Sequence, residues 1–194
     1  MKAGLIGCGA IGRTLAKYID KGKAGKTVLA TVYDTDFSEA EALSKLMRDK
    51  PYIAKNFNDF LSQDLDLVIE AASQKAVLKY AQKILETDKD VLILSVGALL
   101  DRGLRTKLEN FAKKNNRKIY VPTGAIAGLD AIKASKIAKT DRVELVTIKN
   151  PMSYREAPYI KAHKVNLKQI DKRTVLYRGP ADEAVKAFPS NINV

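Results

Sequence analysis

The sequence predicts an α/β fold: a parallel sheet doubly wound with helices on both faces, followed by a mixed α+β segment. Three observations carry that prediction. Short apolar runs alternate with amphipathic segments as far as Val121, the rhythm of strand–helix–strand units. A cluster of glycines, Gly7, Gly9 and Gly12, closes the first apolar run and opens the first amphipathic one. After Pro122 the alternation lapses, and strand-like and helix-like stretches no longer follow one another in turn.

Taken in order, Lys2 to Ile6 has the continuous apolar character of a strand buried on both faces. Ile11 to Ile19 reads as a helix, with Ile11, Leu15, Ala16 and Ile19 on one face. Val28 to Tyr33 is a second strand. Ser38 with Glu41 three residues later has the form of a capping box, opening a helix that runs to about Arg48. Leu65 to Glu70 is the next strand, and Val77, Leu78, Ala81, Ile84 and Leu85 recur at helical spacing. Val91 to Leu94 is a strand, Leu104, Leu108, Phe111 and Ala112 mark a helix, and Lys118 to Val121 is a strand again. Beyond Pro122, Leu129 to Ala138 reads as helix, Val143 to Ile148 and Thr174 to Tyr177 as strands, and Ala181 to Phe188 as a helix entered at Pro180.

Composition narrows the classes of function. A chain of 194 residues is long enough to bury a core and holds one or two domains. No apolar run reaches the length of a membrane span, and Met1 to Gly7 enters a strand directly, without the parts of a signal peptide. The single cysteine, Cys8, cannot form a disulfide within the chain and fits a reducing compartment, so a cytoplasmic location is expected. The net charge of +12 is spread along the chain with acidic residues interleaved, so it is read as a solvated basic surface that would steer an anionic substrate, not as a nucleic-acid face. No Cys/His cluster has metal-ligand spacing, and no metal is expected.

The stretch Gly7-Cys8-Gly9-Ala10-Ile11-Gly12 is G-x-G-x-x-G, and its context gives it weight: a buried strand before it, an amphipathic helix after it. In a Rossmann βαβ unit the first glycine permits the tight turn. The second lets the backbone approach a pyrophosphate, and the third allows close packing of helix on strand. The backbone N–H groups of Ala10, Ile11 and Gly12 would then face the phosphates at the positive end of the helix dipole. Asp34 closes the second strand, where a carboxylate accepts ribose hydroxyls and repels a 2′-phosphate. NAD is therefore the expected cofactor; Lys45, Arg48 and Lys50 nearby leave NADP possible. Small residues end the later strands too, at Glu70-Ala71-Ala72-Ser73, Ser95-Val96-Gly97-Ala98 and Pro122-Thr123-Gly124-Ala125. Ala72 and Ser73 are thereby added to the cofactor residues. Residues 1–123 are expected to form the dinucleotide-binding domain and 124–194 a substrate and oligomerisation domain.

Further segments resemble the L-aspartate dehydrogenase family: Ile69-Glu70-Ala71-Ala72-Ser73, Leu94-Ser95-Val96-Gly97-Ala98-Leu99, Gly124-Ala125-Ile126-Ala127-Gly128-Leu129-Asp130-Ala131, and the run from Ala184 to Val194. They occur in the family's order. The resemblance implies oxidative deamination of L-aspartate with NAD or NADP to iminosuccinate, which hydrolyses to oxaloacetate or feeds NAD biosynthesis, in a homodimer or larger assembly. It also implies that Ala125 and Asn193 meet the nicotinamide. The family's catalytic histidine lies on a segment beyond the Asn-x-Asn-Val run, so the chain is expected to belong to a longer enzyme and no catalytic residue is assigned.

The sole histidine, His163, does not match that motif and is expected on a surface strand. Three other residues have two readings. Cys8 sits at a helix N-terminus, where a thiol pKa can fall, yet this loop position suits any small residue. Lys133 could meet a substrate carboxylate or be a helix-surface lysine. Arg155 offers a bidentate fork to a carboxylate, or pairs with Glu156. Two alternatives to an aspartate dehydrogenase stay open: a non-catalytic NAD-binding regulator or redox sensor, and an oxidoreductase of the homoserine dehydrogenase type.

Overall fold

A computed structural model describes residues 1–123, 128–189 and 191, with Lys136 by its backbone alone. The chain divides into two compact units, Met1–Pro122 and Thr123–Val194.

In the first unit the order is β1 (Lys2–Ile6), α1 (Ala10–Asp20), β2 (Val28–Tyr33), α2 (Phe37–Lys45), β3 (Tyr52–Ile53), α3 (Phe57–Leu61), β4 (Leu67–Glu70), α4 (Gln74–Leu85), β5 (Asp90–Ile93), a 3-10 turn at Val96–Leu100, α5 (Arg102–Lys114) and β6 (Ile119–Tyr120). Six strands pair in the order β3-β2-β1-β4-β5-β6, every ladder parallel. The chain moves outward from β1 to β3, then crosses to β4 on the other side of β1. The strand order therefore reverses between β1 and β4, the place where open α/β sheets leave a crevice at their carboxyl rim.

Strand alternation explains why both faces need helices. Ile6, Val68, Val91 and Ile93 point into one core with Phe60, Tyr80, Ile84 and Leu108 of α3, α4 and α5. Ala3, Leu5, Val32 and Ile69 point into the other with Ala16, Ile19 and Leu43 of α1 and α2. Each fully buried Leu, Ile or Phe side chain contributes about 1.5–3 kcal/mol over its exposed state, so neither face could be left open to water.

Three local expectations are corrected. The buried stripe of α1 runs through Gly12, Ala16 and Ile19. Ile11 lies beside that stripe on the first turn and is 60% exposed. In α4 the core residue between Val77 and Ala81 is Tyr80, not Leu78, which faces solvent. Helix α2 is capped by Asp36 instead of Ser38: its carboxylate accepts from the Ser38 backbone N–H at 3.0 Å and the Ser38 hydroxyl at 2.6 Å. The earlier acid in the chain reaches the free N–H groups first, and Ser38 becomes a donor to it. The Ser38 bonds also hold the Asp36 carboxyl below the ordinary carboxylate range.

The second unit comprises α6 (Leu129–Ala134), α7 (Pro158–Ala162) and α8 (Ala181–Ala187), with 3-10 turns at Ser135–Ile137, Pro151–Tyr154 and Leu167–Gln169. Its core gathers Tyr154, Ala157, Ile160, Leu167 and Phe188. Phe188 meets Tyr154 and Tyr177 edge-on, with ring centroids 5.5 and 5.8 Å apart. Pro158 begins α7 and Pro151 begins the 3-10 turn before it, positions where a missing N–H costs nothing. The strands expected at Val143–Ile148 and Thr174–Tyr177 are not formed among the described residues. A strand exists only through ladder partners, and neither segment has one. Val143, Val146, Ile148 and Val175 remain exposed. No described helix of either unit is long and apolar enough to cross a membrane.

Candidate functional site

At the carboxyl end of β1 the chain turns through Gly7, whose φ of 95° lies in the left-handed region and whose N–H donates to the Tyr33 carbonyl at 2.9 Å. A Cβ at Gly7 would stand 2.7 Å from the Ala71 carbonyl oxygen. A Cβ at Gly12 would collide with the carbonyl oxygen of Gly7. Both glycines are thus demanded by the protein's own backbone, the first by its turn and the third by the seating of α1 on β1.

Gly9 is different. Its φ of −71° suits any residue, and nothing lies within 4 Å of where its Cβ would be. Nothing in the described structure requires glycine there, and the space above it lies open at the N-terminus of α1. That helix begins at Ala10 with no side-chain cap and no acid in its first turn, which leaves the N–H groups of its opening turn to an outside acceptor. A cradle that a methyl group would fill, beneath free N–H donors, fits the pyrophosphate of a dinucleotide.

Asp34, one residue beyond β2, lies across this loop. Its Oδ2 accepts from the Cys8 backbone N–H at 2.7 Å, and its Oδ1 accepts from the Asp36 N–H at 3.0 Å. The carboxylate therefore braces the glycine loop, with lone pairs remaining for ribose hydroxyls. A cleft of about 170 Å³ opens beside it, lined by Gly7, Tyr33, Asp34, Thr35, Ala72, Ser73, Lys75, Ala76, Lys79 and Tyr80. Dedicated pockets for whole ligands run to about 300–1,000 Å³, so this cleft suits one end of a long ligand.

The structure thus brings Gly7, Asp34, Ala72 and Ser73 to one cleft, whereas Gly9, Ala10, Ile11 and Gly12 are not among the residues that line it. Ser73 also has a second job: it is the N-cap of α4, its hydroxyl accepting from the Ala76 N–H at 3.2 Å. Ala125 and Asn193 lie outside the described residues. Lys45 and Lys50 do not line the cleft. Arg48 is bound to Asp20 at 3.1 Å instead. The basic residues of the cleft are Lys75 and Lys79, one turn apart on α4. Helical spacing could have paired them, but only the sheet order brings α4 beside Asp34. Tyr33 and Tyr80 were missed as well. They form the cleft's aromatic floor, rings edge-on at 6.1 Å and hydroxyls 3.4 Å apart, and burial, with the Tyr80 hydroxyl second, pushes the Tyr33 phenol up to about 12.

Cys8 is fully buried, and its thiol is pushed up to about 12, first by burial and then by the Asp34 and Glu39 carboxylates. It is a neutral packing residue, not a thiolate. In the second unit, Arg155 pairs with Glu156 at 3.8 Å and Lys133 with Asp130 at 3.8 Å, all exposed. His163 ends helix α7, not a strand; its ring stacks on Tyr159 at 4.0 Å and its Nδ1 lies 2.9 Å from the Tyr159 carbonyl.

Comparison with known proteins finds a family match in each part of the chain. The family described as the NAD binding domain of homoserine dehydrogenase matches residues 7–122, and the C-terminal part of aspartate dehydrogenase matches residues 130–194. The chain is 43% identical to the L-aspartate dehydrogenase of Methanosarcina barkeri, over the whole of this chain and 71% of that one. It is 42% identical to the L-aspartate dehydrogenase of Methanocaldococcus jannaschii, again over the whole chain and 71% of the relative. Among solved structures, aspartate dehydrogenase from Thermotoga maritima superposes with a TM-score of 0.64 at 27% identity, covering 98% of this chain and 69% of that one. On fold, glycine loop and sequence together, the chain belongs to the aspartate dehydrogenase family.

Proposed function

We propose that the protein is an NAD(P)-dependent amino-acid dehydrogenase that oxidises L-aspartate. The observation that carries the cofactor is the open cradle at Gly9 under the free N-terminus of α1, with Asp34 beside it. What supports the substrate is the family: the relatives aligned along the whole chain are named L-aspartate dehydrogenase. In the reaction, L-aspartate loses a hydride from Cα and a proton from its amine, giving iminosuccinate; water then adds and ammonium leaves, giving oxaloacetate. The nicotinamide, when bound, supplies the hydride acceptor.

The chain's own part is to hold and orient. Gly9 keeps the cradle open and the N–H groups of Ala10, Ile11 and Gly12 seat the pyrophosphate, on a turn that Gly7 makes and a helix that Gly12 lets sit against β1. Asp34 takes the adenosine ribose and repels a 2′-phosphate, which favours NAD. Ala72 and Ser73 shape the rim, and Ala125 and Asn193 are assigned to the nicotinamide side on the family likeness. Lys75 and Lys79 give the cleft a positive wall that attracts the cofactor's phosphates over distances near the Debye length. Residues 1–123 form the cofactor domain under this reading, and 124–194 contribute to the substrate and subunit surfaces of a cytoplasmic homodimer. Its imine product feeds NAD biosynthesis.

The test is reduction of NAD and NADP by L-aspartate, followed by absorbance, on this chain and on any longer natural form, with homoserine and malate as controls. Turnover with aspartate alone supports the proposal. Turnover with homoserine in its place, or tight NADH binding without any turnover in either form, overturns it.

A further inference from the structure

Glu70, the last residue of β4, is only 2% exposed, and a bare carboxylate buried to that degree would be strongly disfavoured. Four donors surround it. Its Oε1 accepts from the backbone N–H groups of Ala72 and Ser73, each at 2.9 Å, and from the Ser95 hydroxyl at 2.9 Å; its Oε2 accepts from the Ser95 backbone N–H at 3.0 Å. All four donors are neutral, and no lysine or arginine is among them. They come from two loops, the one between β4 and α4 and the one that follows β5. One side chain thereby ties together two of the three small-residue strand ends that the sequence singles out. Ala72 and Ser73 also line the cleft.

Position on the rim gives this arrangement a consequence. Asp34, at the end of β2, marks the adenosine side of the reversal in strand order. The β4–α4 loop borders the same cleft through Ala72 and Ser73, whereas the end of β5 lies one strand further out, in the half of such a sheet that takes the nicotinamide. A packing role alone would be served by a neutral amide or hydroxyl, which loses less on burial. Here a carboxylate whose oxygens only accept ties the two loops, with no lysine or arginine among its described hydrogen-bond partners, next to the half of such a sheet that takes a ring positively charged when oxidised and neutral when reduced.

We infer that Glu70 is a positioning residue: it locks the β4–α4 and β5 loops into one rim, and its charge tilts binding toward the oxidised nicotinamide. The inference rests on the dinucleotide site proposed above. At an effective dielectric of about 20, a unit charge at a separation on the order of 10 Å would change the relative affinity for a cationic and a neutral ring roughly tenfold.

The experiment measures dissociation constants for NAD⁺ by calorimetry and for NADH by fluorescence, in the parent chain, Glu70→Gln, Glu70→Asp and Ser95→Ala. Glu70→Gln is expected to weaken NAD⁺ roughly tenfold more than NADH. Glu70→Asp keeps the charge on a shorter stem and restores the parent ratio while loosening both complexes. A Glu70→Gln variant that weakens both forms equally, or leaves the ratio unchanged, overturns the inference. Should Glu70→Gln fail to fold, Ser95→Ala tests the tie. It is expected to weaken both forms by a common factor, and unchanged constants overturn the positioning role. A parent chain that binds neither form overturns the dinucleotide site itself, a result distinct from either of these.

Discussion

Replacing Gly9 by alanine, set against the same change at Gly12 and Gly7, separates what the glycine loop does for the protein from what it does for a ligand. At Gly9 the backbone already lies where alanine is comfortable, and the new methyl group enters empty space. Alanine restricts the unfolded chain and so adds about 0.4–1 kcal/mol of stability, offset by a similar loss because alanine is a poorer N-cap than glycine. The net change in urea unfolding is expected within about 1 kcal/mol of zero. Binding behaves differently. A methyl group in the cradle keeps the pyrophosphate from the N–H donors of α1, and two charge-assisted bonds at about 1.5–3 kcal/mol each amount to at least a hundredfold in NADH affinity. Gly12→Ala forces α1 away from the Gly7 carbonyl and is expected to cost about 1–3 kcal/mol of stability. Gly7→Ala adds a strained positive φ, worth about 1–3 kcal/mol, to its clash with Ala71. The assay is urea unfolding followed by circular dichroism, paired with NADH fluorescence titration on each folded variant. Gly9→Ala unfolding as easily as Gly12→Ala, or binding NADH within twofold of the parent, would refute the assignment of Gly9 to the cofactor.

Two further outcomes are expected. Asp34→Ala removes the ribose acceptor and the charge facing a 2′-phosphate, so NADH affinity falls about tenfold or more while NADPH loses less; an unchanged NADH-to-NADPH ratio counts against Asp34 as the selector. Because the Cys8 thiol is raised from its ordinary 9.0 to about 12 in the folded chain, its contribution to stability is complete below about pH 9 and is lost as pH rises toward 12. Cys8→Ala should therefore flatten part of the alkaline limb of the stability profile, and native protein near pH 8 should resist maleimide until unfolded. Rapid labelling of the native state would contradict the buried, neutral thiol.

Much of the first unit was legible from residue order alone, because its signals are local. Unbroken apolar runs such as Leu67 to Ile69 mark strands covered on both faces, and Ala16 with Ile19 or Ala81 with Ile84 mark helices that cover them. The glycine spacing and Asp34 carried the cofactor reading, since a tight turn, a close approach and a seated helix each exclude a side chain for a stated reason. What the sequence could not decide was which local signals meet. Glu70 and Ser95 are 25 positions apart and become partners only because β4 and β5 are adjacent in the sheet. Lys75 and Lys79, not Lys45 and Lys50, reach the cleft because the order reverses at β1 and sets β4 and its following helix beside the β1–β2 rim. Val143–Ile148 has the composition of a strand and lies unpaired among the described residues, since β-structure is a property of partners and not of one segment. Residue order alone decided the kind of fold and the place of its glycine turn, whose causes sit within a few residues of each other; which neighbours gather around that turn was decided by tertiary structure, because hydrogen bonds and electrostatic fields act through space and not along the chain.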